Sequence, residues 1–147
     1  MKHLTLVVAL IILAPTFIAL GTPKPRSSDE LIAIVKEYHA VKDIEALMSL
    51  RYSEGYPAEL LAIDRKVLSE FVNKEIISIT LAEIPTEMMQ AMAEGLPYKD
   101  LTLIPNIPPL KIMNIELSGS GGMRSYQTPI GEINGIWYFT ATKPKPK

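Results

Sequence analysis

The chain has 147 residues, 48% hydrophobic and 21% charged, which fits one folded domain and argues against disorder. Its 15 basic and 16 acidic side chains leave a net charge of −1, so there is no cationic excess to grip nucleic-acid phosphates. It contains no cysteine, which excludes disulfides, thiolate metal sites, thiol catalysis and a lipid-modified cysteine anchor.

Residues 1–21 read as an address. Lys2 and His3 precede an apolar run over 4–14, then Pro15, and Ala19 and Gly21 stand at the −3 and −1 positions of a cleavage site before Thr22. The alternative is an uncleaved anchor over residues 4–20, barely long enough to cross about 30 Å of hydrocarbon. Both place the remainder outside the cytoplasm, secreted or periplasmic. Residues 22–28, with Pro23 and Pro25, predict a stiff spacer, and residues 143–147 (KPKPK) a solvated basic tail. Between them, residues 29–142 form one domain.

Ser27 followed by Glu30 is a capping-box pattern, and Leu31, Ile34, Val35 and Tyr38 repeat with helical period. Asp43 caps a second, shorter helix with Ile44, Leu47 and Met48 inward. Gly55 breaks the chain, and Pro57 suits the first turn of a third helix reaching Val72, with an apolar side of Leu60, Leu61, Val67, Leu68, Phe71 and Val72. The period then changes. Residues 75–84 are rich in β-branched side chains, with Ile77, Ile79 and Leu81 alternating. Residues 86–94 predict a short helix ended by Gly95, and the four prolines of residues 96–109 predict loop, with a short strand at 101–104. Residues 110–117 form a strand with Met113, Ile115 and Leu117 on one side, and residues 118–122 (SGSGG) a flexible turn. Asn134-Gly135 marks a hairpin that sets Ile133 opposite Ile136 and Ile130 opposite Phe139. Tyr126, Ile130, Trp137, Phe139 and Ala141 then share the core face, and Pro129 requires an edge or a bulge in its strand. Helices followed by an antiparallel meander predict an α+β fold, with the helices on one face of a curved sheet.

This order of elements, with the segment Lys42-Asp43-Ile44-Glu45-Ala46-Leu47 opening the second helix, resembles the NTF2-like (cystatin-like α+β cone) proteins in outline over residues 29–142. The proline-rich stretch departs from that pattern and replaces one of the family's strands. The resemblance implies a cone-shaped pocket. It does not choose between the isomerases, dehydratases, transport factors and plain binding domains that share the fold.

No phosphate loop, HExxH or GxSxG motif occurs, His39 is the one histidine after the leader, and nothing calls for a cofactor or metal. One residue breaks a local rule. On a helical wheel Asp64 falls inside the apolar stripe of the third helix, where a carboxylate must be paired, hydrogen-bonded or protonated. Either Asp64 is a pocket acid or base facing His39, as enzymes of the resembled superfamily arrange an Asp and a His, or it pairs with Arg51 at a gap between helices. His39, near the end of the first helix, suits that helix's negative end and a contact with Asp43. Tyr38 and Tyr126 are candidate pocket residues. Met88 and Met92, four apart, are a candidate flap or docking face. The favoured function is a non-catalytic binding module for a small molecule or a protein, a second copy of the chain included. The alternative is a small-molecule isomerase or hydrolase using Asp64 and His39.

Overall fold

The computed structural model describes residues 23–146, so the expected leader at 1–21 lies outside the described residues. The fold is α+β, with four helices and two antiparallel sheets among the described residues. The helices are α1 (Ser28–Ala40), α2 (Ile44–Ser49), α3 (Ala58–Phe71) and α4 (Thr86–Glu94). The strands are β1 (Glu75–Ala82), β2 (Leu96–Tyr98), β3 (Leu101–Pro105), β4 (Lys111–Gly119), β5 (Gly122–Ile133), β6 (Ile136–Phe139) and β7 (Thr142–Pro144). The larger sheet has the order β1-β4-β5-β6, the smaller β2-β3-β7.

Local chemistry sets the helix starts. Ser27 Oγ accepts the Glu30 N–H at 3.1 Å, and the Glu30 carboxylate accepts the Arg26 N–H at 2.6 Å, a capping box displaced by one residue. Asp43 Oδ1 accepts the Ala46 N–H at 2.9 Å and starts α2. Pro57 stands just before α3 as its cap, one residue earlier than its expected place inside the first turn. Leu31, Val35, Leu47, Leu50, Phe71 and Val72 bury against Met113, Ile115, Leu117 and Ile130 of the larger sheet. α1, α2 and α3 therefore cover one face of that sheet, and Trp137 and Phe139 pack against the same core.

The β5–β6 hairpin has the register that a two-residue loop requires: Ile133 opposes Ile136 and Ile130 opposes Phe139. Asn134 and Gly135 both have positive φ, 53° and 74°, as a type I′ turn demands. Ala141 is buried, as expected, but lies beyond the end of β6, where its N–H and C=O are both taken by Asn106. Pro129 stands where the β6 ladder has ended. Thr140 donates its N–H to the Pro129 carbonyl at 2.9 Å, but Pro129 has no N–H to return. The Thr140 carbonyl is thus left for another donor.

Five expectations are corrected. In β1 the register shifts between Ile76 and Ser78, so Ile77 bulges out 49% exposed, while Ile76 joins Ile79 and Leu81 against the core. Residues 118–122 form a tight turn, because the β4–β5 ladder closes as far as Gly119 opposite Gly122. The proline-rich stretch supplies two strands, β2 and β3, and part of the basic tail supplies β7. Lys145 donates its N–H to Thr102 O at 2.7 Å, and Lys143, two residues earlier, faces Ile104. That alternation puts the missing N–H of Pro144 on the outer side of an edge strand, where proline costs no ladder bond. The spacer is docked too: Pro25 is buried, its carbonyl accepts the Trp137 N–H at 2.9 Å, and Ser28 already belongs to α1.

Asn106 ties these parts together. Its Nδ2 donates to Tyr52 O at 2.6 Å and Glu54 O at 3.1 Å, and its Oδ1 accepts the Ala141 N–H at 3.0 Å. One buried amide thus links the end of β3, the segment before α3 and the chain beyond β6. Next to it, Gly131 lets the strand pass under the Pro108 carbonyl, which a Cβ at that position would strike.

Candidate functional site

The segment after α2 runs beside the outer edge of β6. Phe139 donates its N–H to Leu50 O at 2.9 Å, and Tyr52 donates to Phe139 O at 3.0 Å, so the intervening Arg51 is fixed at the end of the sheet. Its side chain reaches under α3. There Nη1 donates to the Thr140 carbonyl at 3.4 Å, the acceptor that Pro129 leaves without an amide partner. The guanidinium carbon lies 5.6 Å from the centre of the Tyr56 ring.

Arg51 also explains Asp64. Arg51 Nε lies 2.9 Å from Asp64 Oδ2, with the two side chains 24% and 17% exposed. Tyr56 Oη donates to the same oxygen at 2.7 Å. Burial, and then the hydrogen bond to Asp64, push the Tyr56 phenol well above its ordinary range, so it stays a donor. The carboxylate in the apolar stripe is therefore paired, which was one of the two arrangements open to it.

Beside this cluster, a half-open cavity of about 110 Å³ lies between α3 and the sheet, with the exposed Val67 at its rim. Val35, Leu47, Val67, Leu68 and Phe71 line its helical side. Ile115, Tyr126, Thr128 and Phe139 line the sheet side, and Arg51 forms one wall. Apart from Arg51, Tyr126 and Thr128, every wall residue is apolar. Residues 115, 126, 128 and 139 share a face because β-strand side chains alternate, with Ile115 directly opposite Tyr126.

His39 lies elsewhere. Its Nε2–H donates to the Phe71 carbonyl at 3.3 Å, and its ring meets the Phe71 ring edge-on with centroids 4.8 Å apart. It thus joins the Lys74 N–H as a second donor to a carbonyl at the C-terminus of α3, rather than serving the end of its own helix. The Asp43 carboxylate, its expected contact, accepts from the Ala46 N–H instead. Phe71 is two turns beyond Asp64, about 10 Å along the helix. His39 opens onto a different cleft, of about 420 Å³, shared with Lys36, Glu75 and Ser78. The convergence of Asp64 and His39 that acid–base catalysis needs is absent from this arrangement.

Of the other candidates, Tyr126 lines the cavity and Tyr38 does not. Tyr38 packs half-buried on the core, and burial, reinforced by Glu37 and Asp43, raises its phenol above the ordinary range. Met88 and Met92 are half-buried on α4, a helix with no fully buried residue that lies against β3 rather than over the cavity. Sequence reasoning missed Thr128 and Asn106. The signal for Asn106 was its place between Pro105 and Ile107-Pro108, where a chain short of amide donors needs a side chain to tie it down.

Among the described residues, no three His, Asp or Glu side chains are placed to hold a metal ion, and no helix is long and apolar enough to cross a membrane. No family model, curated protein or solved structure matches the chain.

Proposed function

We propose that the chain is an exported, non-catalytic binding module of the NTF2-like type that holds a small molecule in the cavity beneath α3. The cavity itself carries this reading. Three helices and the sheet leave a half-open, mostly apolar cavity of about 110 Å³ between them, a concave site of the kind that small ligands use. Apolar cavities of about 150 Å³ take up molecules the size of benzene. Export is supported by the basic start, apolar run and small-residue exit of residues 1–21. Asp64, held by Arg51 and Tyr56, is not among the residues lining the cavity, which leaves its wall without a carboxylate for the isomerase or hydrolase alternative.

A thermal-shift screen of small aromatic fragments tests this. A ligand at a hundred times its Kd stabilises by about 2.7 kcal/mol, which raises Tm by several degrees. Val67→Trp, which fills the cavity from α3, should erase that shift. A screen with no shift, or a shift that persists in Val67→Trp, contradicts the proposal.

A further inference from the structure

We infer that the cavity selects an uncharged, ring-sized molecule bearing a hydrogen-bond acceptor such as a ketone or amide carbonyl, with Arg51 as the anchor. This rests on the binding reading above and adds the chemical class of the ligand.

Arg51 is the one charged side chain in the cavity wall, and its charge is already matched by Asp64, which does not line the cavity. A ligand carboxylate would leave water for an apolar site whose only cation is neutralised by another carboxylate, so its desolvation would not be repaid. A ligand ammonium would meet the guanidinium with no carboxylate in the wall. A plain hydrocarbon would suit the apolar walls but would cut guanidinium N–H groups off from water. Arg51 Nη1 makes only the long 3.4 Å contact to Thr140 O, and the guanidinium's remaining Nη hydrogens have no acceptor among the described residues. Covering a charged donor without giving it an acceptor costs more than an average hydrogen bond contributes. A neutral carbonyl avoids all three penalties. It is cheap to desolvate, it accepts from a charged donor, and its hydrocarbon part meets Leu47, Leu68 and Phe139.

The test titrates the purified protein with acetophenone, cumene and benzoate, which share a ring and nearly a shape. Acetophenone should bind at least about tenfold tighter than cumene or benzoate, the difference expected from one hydrogen bond to a charged donor. In Arg51→Met/Asp64→Leu, which replaces the ion pair with apolar side chains, acetophenone and cumene should bind alike. Benzoate binding tightest, or an acetophenone preference that survives the double substitution, overturns the inference. Equal binding of acetophenone and cumene to the native protein also overturns it but leaves the binding reading standing. Failure of all three probes removes both.

Discussion

Asn106→Ala should destabilise the protein by about 3–4 kcal/mol, measured as a fall in the urea midpoint with an unchanged slope. The substitution removes a side chain that is 8% exposed and strands the carbonyls of Tyr52 and Glu54 and the N–H of Ala141. Each buried polar group left alone costs about 1–3 kcal/mol, and part of that returns where water can reach the gap. Asn106→Asp separates donor from acceptor. The carboxylate still accepts from Ala141 but points its other oxygen at two carbonyls. That environment raises the carboxyl's folded-state pKa above its unfolded value near 4, so the loss is largest at neutral pH and shrinks as pH falls and the acid regains a proton to donate. An Asn106→Ala protein within about 0.5 kcal/mol of native would mean that this amide does not hold the two sheets together.

Asp64→Ala should cost about 2–3 kcal/mol. Removing one partner of a buried ion pair costs about 3–5 kcal/mol, and the exposure of this pair reduces that. The guanidinium and the Tyr56 hydroxyl both lose their shared oxygen. Asp64→Asn, which keeps an acceptor for Tyr56, should cost about half as much. Arg51→Met/Asp64→Leu should recover part of that loss, to about 1–2 kcal/mol below native, because no charge is left to satisfy while the Tyr56 hydroxyl and the Thr140 carbonyl still lose their partners. Chemical denaturation of the four proteins reads the cycle directly. A catalytic carboxylate would behave in the opposite way, since its removal spares stability and takes away turnover. Native-like stability in Asp64→Ala would therefore contradict the structural role.

The local rules in the sequence carried the helix starts and one hairpin. Ser27, Asp43 and Asn134-Gly135 each act within a few residues, so their chemistry is complete in the sequence, and each does its expected job. The wheel also placed Asp64 correctly in the apolar stripe. Its partner was only one of two options, because Arg51 reaches it through a loop laid along β6, which sequence spacing does not encode. The bulge at Ile77 exists only relative to β4 and leaves no mark in β1 itself. The smaller sheet was hidden for a related reason. Residues 103–105 pair with 142–144 across most of the later chain, and both segments contain prolines that read as breakers, although Pro144 lies on an edge strand and Pro105 at the last position of β3. His39 was assigned to the wrong helix end because only the packing of α1 beside the end of α3 brings it to the Phe71 carbonyl.

The cavity's occupancy is the claim on which the functional account turns, and methyl-resolved NMR during addition of acetophenone measures it most directly. Val35, Leu47, Val67, Leu68 and Ile115 carry methyl groups in the wall, whereas Ile76 and Ile77 border the cleft at His39. The account predicts saturable shifts confined to the first group, with contacts between the ligand ring and the Leu68 and Ile115 methyls. Shifts centred on Ile76 and Ile77, or no saturable shift in the cavity methyls, would contradict it.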